Sequence, residues 1–373
     1  MRRTTLCFGI LILLLASPCL WSKSRHPTAT PTPTPSPTAT PTAVPASVDA
    51  GPASLYGFDQ AWGSSGSSPF QLSQPTGISI STAGLMAIAD TGNNRIVLWD
   101  TDGKPISAFG AWGTSAVWRN PPQFNHPEGI LIHPSGQYFV ADTGNNRIVV
   151  VDQRGMAVTA WGRRGTGDGE FDSPRAFTVG KAGDVWVLDS GNSRVQVFSA
   201  LGAFKFKWGT FGTDPGQLNN PLGIDLNLIE QVHIANTQNN RYEIFNTDGT
   251  PVTYQGWMGN GPNQYTEAGG LTNTPSGWIA VVDGTNGRVE FYNHRFEYVG
   301  DWKATNDPAW QGPPPHFRGI DSDQQNRLYI TDMANSRIIR LKPLQKMTSA
   351  PVRTPTIVPD QQNLYGGQNF PVR

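Results

Sequence analysis

The 373-residue chain is poor in cysteine: Cys7 and Cys19 are the only two, and both lie near its N-terminus. Whatever folds after them has no disulfide framework and no thiolate metal site to draw on. Charge is sparse as well. Charged residues make up 15% of the chain and the formal net charge is zero, so no global field draws it toward nucleic acid or anionic lipid. An apolar run at Leu6–Leu15 falls short of the roughly 20 residues a membrane span needs. What the chain has in abundance is Gly (41), Pro (31) and Trp (12), a profile of many short strands joined by tight turns rather than a helical bundle.

Arg2 and Arg3, the apolar run, and then Ala16, Ser17 and Pro18 read as an export signal over residues 1–22. A retained short membrane anchor is the alternative. A lipidated Cys19 fits less well, because Pro18 stands directly before it. Residues 23–54 are a Pro/Thr/Ser tract that cannot bury enough apolar surface to fold, and proline biases it to extended polyproline II. The expectation is an exported protein, secreted or attached to the cell surface, whose domain is carried on a disordered stalk. Membrane contact would be confined to the N-terminal segment. The polar, Pro-bearing residues 342–373 are expected to be a disordered tail.

Between these ends one unit recurs six times. Its marker pairs an acid with an arginine five residues on: Asp90 and Arg95, Asp142 and Arg147, Asp189 and Arg194, Asn236 and Arg241, Asp283 and Arg288, Asp332 and Arg337. Successive arginines are 52, 47, 47, 47 and 49 residues apart. A small residue (Gly77, Gly129, Ala176, Gly223, Gly270, Gly319) sits thirteen residues before each Asp or Asn. Periods of this length signal a repeat architecture.

In the second unit, strands are expected from Gly129, Gln137, Arg147 and Ala157, separated by Pro-Ser-Gly136, Thr-Gly-Asn-Asn and Asp-Gln-Arg-Gly155 turns. Four strands per unit make a propeller blade. Trp112, Trp161, Trp208, Trp257 and Trp302 are read as the ends of successive outer strands. The sixth unit has no such tryptophan, and Trp62 stands ahead of the first. The sequence therefore predicts an all-β, six-bladed β-propeller over residues 55–341, closed by an N-terminal strand that completes the last blade and removes open sheet edges.

The run Ala-Asp-Thr-Gly-Asn-Asn-Arg-Ile, met in the first two units, resembles the signature of the NHL-repeat family. The fourth unit departs from it, with Asn236 for Asp and Gln238 for Gly. The resemblance implies a six-bladed propeller of a kind that mostly binds proteins or RNA and in a minority of members is a lyase or hydrolase. In related peptide-amidating lyases, histidines at the start of several blades hold zinc. The matching positions here are Thr76, Glu128, Arg175, Leu222, Gly269 and Arg318, without a histidine. Ubiquitin-ligase relatives depend on a separate Cys/His-rich RING domain, and this chain has no such cluster.

Paired Asp-Thr-Gly at 90–92 and 142–144 also resembles an aspartic-protease dyad, but recurrence around a ring points the acids to different sectors. Asp–Arg pairing inside each turn is the structural reading. His126 and His316 occupy equivalent positions, and two histidines fall short of the three protein ligands of a catalytic zinc. His133 and His233 read as half-buried strand residues. No serine has a nucleophile-elbow context. No catalytic residue and no cofactor is assigned; calcium at Glu128 or zinc is the weaker alternative.

Specificity is expected where the copies differ, on loops between blades: Trp118, Arg119, Arg163, Arg164, Tyr265 and His316, with Glu128, Arg175 and Arg318 at the mouth of the channel. The resulting expectation is an extracellular binding or scaffold propeller that recognises a protein, a peptide or a cell-wall glycan through this loop face. Nucleic acid is disfavoured by zero net charge and export. The alternative is a metal-assisted lyase or hydrolase acting on a small molecule in the central channel.

Overall fold

Six four-stranded antiparallel sheets, arranged as the blades of a β-propeller, account for nearly all regular structure in a computed structural model that describes residues 55–115 and 121–344. The expected export signal, the expected stalk and almost all of the expected tail lie outside the described residues, as do Trp118 and Arg119. From the channel outward, blade two comprises Gly129–Ile132, Tyr138–Asp142, Arg147–Val151 and Ala157–Trp161. The other blades repeat this order.

The last blade takes its outer strand from the other end of the chain. Tyr56–Trp62 pairs antiparallel with Arg337–Pro343, in a register running from Tyr56 opposite Pro343 to Trp62 opposite Ile338. Tyr56 is fully buried and stacks on Phe291, with ring centroids 4.9 Å apart. Closure is reinforced near the axis, where Asp321 Oδ2 accepts the Ile80 N–H at 2.7 Å and Thr331 Oγ1 donates to the Thr76 carbonyl at 2.7 Å. The same register places Tyr56 and Pro343 together on the face opposite the Asp-to-Arg turns.

The second and third strands of each blade are buried on both faces, because a blade packs against a neighbour on either side. The apolar core is accordingly six separate clusters, each shared by two adjacent blades. One joins Ala87, Ile96 and Leu98 of blade one to Tyr138, Val140 and Val149 of blade two. The closing cluster joins Tyr329 and Ile338 of blade six to Met86, Ile88 and Val97 of blade one.

The thirteen-residue marker has a steric cause. A Cβ on Gly129 would stand 2.4 Å from the Arg175 carbonyl, and one on Gly319 2.2 Å from that of Thr76. Inner strands of neighbouring blades pass too closely at these glycines for a side chain, and blade three accommodates no more than the methyl of Ala176.

The acid–arginine marker builds the loop face. In blade two, Asp142 accepts the Asn125 N–H at 2.6 Å, Arg147 Nε at 2.7 Å and Asn145 Nδ2 at 2.9 Å. The two Nη groups of Arg147 then donate to the carbonyls of Thr114, Ser115 and Gln123 in the loop that leads into the blade. Thr143 Oγ1 donates to the Pro174 carbonyl of blade three at 2.7 Å, which explains the Thr beside the Asp. Asn146 has φ 54°, a left-handed conformation that Asn tolerates better than most residues.

Blade four keeps this arrangement by moving its charge. Asn236 still accepts the Asn219 N–H at 2.8 Å, while the Arg241 guanidinium pairs with Glu243, which also accepts Asn236 Nδ2 at 2.7 Å. Blade five carries both acids, and Arg288 lies 2.9 Å from Asp283 and 3.1 Å from Glu290.

Candidate binding face and channel mouth

Each of the first five inter-blade loops begins with a Gly-x-x-Gly clip: Gly63–Gly66, Gly110–Gly113, Gly162–Gly165, Gly209–Gly212 and Gly256–Gly259. All ten glycines have positive φ, from 95° to 159°, where a side chain would be strained. A parallel bridge closes each clip onto a buried residue further along the loop: Ser65 to Leu72, Trp112 to Phe124, Arg164 to Phe171, Phe211 to Leu218 and Met258 to Tyr265. The arginines of the repeat donate to carbonyls just beyond the clip, as Arg194 does to Thr166, Gly167 and Glu170. The frame is therefore constant and pinned, while the two residues inside it vary.

Those inner pairs carry large side chains into solvent. Trp112 is 69% exposed, Phe211 73%, Trp257 55% and Met258 77%. Arg163 and Arg164 occupy the same two positions in the clip after blade two, and Arg163 is held by Glu170 at 2.8 Å.

This geometry corrects the outer-strand tryptophans. Trp161, Trp208 and Trp302 do pair at the strand end, opposite Ile148, Val195 and Val289. The equivalent residues in blades one and four are Phe109 and Gln255. Trp112 and Trp257 lie beyond them, inside the clips. The Gly-x-x-Gly spacing is the signal that separates the two settings. Tyr265, expected as an exposed ligand contact, is fully buried, with its hydroxyl 2.5 Å from that of Tyr292; closure of its clip turns it into the core.

The channel mouth gathers a second set. Glu128, Arg175 and Arg318 start the inner strands of blades two, three and six and line one cavity of 280 Å³ along the axis. Arg318 Nη1 donates to Glu267 Oε1 at 2.8 Å, and His316 Nε2 lies 2.7 Å from Glu267 Oε2. Glu128 Oε2 is 3.5 Å from Arg318 Nη2 and 3.6 Å from Arg175 Nη1. A chain of alternating charge thus runs His316–Glu267–Arg318–Glu128–Arg175. Burial alone would raise the Glu267 carboxyl, but His316 and then Arg318 hold it below the ordinary glutamate value. Glu267 stands sixteen residues before its Asp, as His316 and His126 do, so the period itself brings it beside His316 in the next blade.

Deeper in the channel, the third residue of each inner strand core forms a ring: Ser79, Leu131, Thr178, Asp225, Thr272 and Asp321. The two carboxylates act as staples between blades. Asp225 accepts Thr178 Oγ1 at 3.0 Å and the Asn273 N–H at 2.7 Å, and Asp321 accepts the Ser322 N–H and the Ile80 N–H, both at 2.7 Å. Burial and then the nearby Asp225 push the Asp321 carboxyl up to about 7.

His126 sits apart on its exposed loop beside Asn125. His133 is buried, against Ser135 and the Gly183 carbonyl. His233 is wholly buried rather than half-buried, with the Tyr242 hydroxyl 2.8 Å from Nδ1 and no partner at Nε2. Burial draws its imidazole down to about 3. Among the described residues, no three His, Cys, Asp or Glu side chains converge as a metal-ligating group.

The family model of the NHL repeat matches residues 124–151 and 171–198, which cover the three inner strands of blades two and three. No curated protein sequence matches the chain. Among solved structures, a gluconolactonase from Xanthomonas campestris superimposes with a TM-score of 0.55 at 17% identity, over 73% of this chain and 87% of that one. A streptogramin B lyase aligns with a TM-score of 0.53 at 16% identity, over 76% and 97%. A catalytically inactive histidine-to-alanine variant of virginiamycin B lyase from Staphylococcus aureus, with quinupristin, aligns with a TM-score of 0.53 at 14% identity, over 74% and 84%. At such identities the likeness is one of fold.

Proposed function

We propose that this chain, a six-bladed propeller built of NHL repeats, is an exported recognition module that binds a polypeptide partner through the clips of its loop face. One observation carries the reading: a repeated acid–arginine pin holds each glycine clip in place, and the pair inside the clip is what differs from loop to loop. The displayed residues are Trp112, Arg163, Arg164, Phe211, Trp257 and Met258. Trp, Phe, Met and Arg are the types enriched in protein interfaces. Held on a rigid frame, they lose little conformational entropy when a partner arrives. Both ends of the propeller, at Tyr56 and Pro343, leave from the face opposite the clips.

The test is selection of binders from a random-peptide library on the wild-type protein, with counter-selection on a W112S/F211S/W257S/M258S variant. These side chains are exposed, so the variant should fold with an unchanged melting temperature. The reading expects peptides that bind wild type and not the variant. Peptides that bind both equally would count against it.

A lyase or hydrolase is the second reading, and the His316–Glu267 contact favours it. A carboxylate that orients an imidazole is the arrangement of a general base, and the fold neighbours include a lyase and a lactonase by name. Turnover of a lactone or cyclic depsipeptide, lost in His316→Ala, would establish it.

A further inference from the structure

The arginines of the repeat turns and those of the channel mouth are bonded differently. Arg147, in the repeat, makes four hydrogen bonds, to Asp142 and to three loop carbonyls. Arg175 makes none within the described residues: its Nε is buried without a partner, and its nearest carboxylate oxygen, on Glu128, stands 3.6 Å from Nη1. Glu128 is shared with Arg318 at a similar distance of 3.5 Å. Glu267, a second acid of the mouth, is engaged by His316 and Arg318, and Asp172 adds only a weaker attraction to Arg175 than Glu128 does. On the far side of Arg175 the next two positions around the ring are Leu222 and Gly269, which offer no carboxylate. A guanidinium has five donors in a planar fork, and burying it unpaired is costly. A fold that has pinned six other arginines with paired acids keeps this one under-bonded.

We infer that Arg175 is the anchor of a carboxylate-binding site in the channel mouth, with Arg318 as its second cationic contact and Glu128 as an internal competitor. A carboxylate between the two guanidiniums would take the bidentate fork of Arg175, which suits planar anions better than a point charge does. The cavity of 280 Å³ admits a small organic acid or a single acidic side chain or chain terminus, not a folded domain. This site is independent of the clip residues, which lie on the rim.

The experiment measures thermal shift and calorimetric binding on the full chain with glutarate, acetate and inorganic phosphate as probes, against chloride at matched ionic strength. Glutarate and acetate should raise the wild-type melting temperature. Arg175→Met, close in volume, should melt higher than wild type without ligand, because it removes a half-buried charge whose nearest acid, Glu128, is shared with Arg318, and should not respond to the acids. Arg175→Lys should keep the fold and weaken binding by about tenfold or more through loss of the fork. Glu128→Gln should tighten it, by roughly threefold or more. The clip variant W112S/F211S/W257S/M258S should respond like wild type, so failure of either assignment is seen separately. A peptide with an acidic C-terminus, compared with its amide, decides whether the carboxylate comes from a free acid or from a polypeptide. A destabilised Arg175→Met, an acid response that survives in it, or no response in wild type would each overturn the assignment.

Discussion

Arg241 pairs with Glu243, two residues along its own strand, whereas every other repeat arginine pairs with the acid five residues before it. The carboxylate has moved across the turn, and Asn236 supplies the remaining acceptor and donor. Restoring the repeat with Asn236→Asp would therefore crowd two acids around one guanidinium. We expect this change to destabilise the propeller by about 1–3 kcal/mol and Asn236→Asp/Glu243→Gln to recover most of it. A double-mutant cycle from urea melts reads the coupling directly; additive effects would mean that the two sites do not share the arginine.

Blade five shows what two acids on one arginine cost. Burial, only partly offset by Arg288, pushes Glu290 up to about 7. Its folded pKa is above its unfolded one, so its contribution to stability is complete below about pH 4.5 and is lost as pH rises through 7, by about 1.4 kcal/mol per unit. His233 has the opposite sign. Its folded pKa, about 3, is below the ordinary 6.5, so stability is present above 6.5 and falls with falling pH. Between about pH 4.5 and 6.5, Glu290→Gln should gain on wild type as pH rises, and His233→Gln should gain as pH falls. Parallel stability–pH profiles for the two variants would refute these assignments.

Tyr56 is the fully buried end of the latch strand. Tyr56→Ala removes a buried ring stacked on Phe291 and should cost about 3–5 kcal/mol in chemical melts. Deletion of residues 55–63 should lower the melting temperature further, although it removes no complete repeat. An unchanged melting temperature in the deletion would mean that the ring closes without its N-terminal strand.

The ring was legible in the chain because three features keep one phase: the small residue that lets inner strands pass, the acid that receives the loop, and the arginine that holds it. Each answers to backbone geometry, and backbone geometry repeats. The site was legible only in part. Glu128, Arg175 and Arg318 share a register position, so their meeting at the mouth follows from the period. Glu267 shares the position of His316, sixteen residues before its Asp, so their contact was equally open to the period; Glu243 was not, since it acts across a turn that sequence spacing does not join. Trp112 and Trp257 were assigned to strand ends because tryptophan fills that place in four blades, at Trp62, Trp161, Trp208 and Trp302. Phe109 and Gln255 fill it instead, and the two tryptophans move from packing to display. Tyr265 went the other way, drawn into the core by the bridge from Met258.

Recognition through the clips is the central claim, and one titration tests it most directly. A peptide selected on the wild-type protein is titrated calorimetrically into wild type, into W112S/F211S/W257S/M258S, and into a control that alters exposed Leu201 and Leu228, which lie outside the clips. Loss of several exposed anchors predicts affinity at least about a hundredfold weaker in the clip variant and unchanged in the control, with all three melting alike. Equal affinity for wild type and the clip variant would contradict the account.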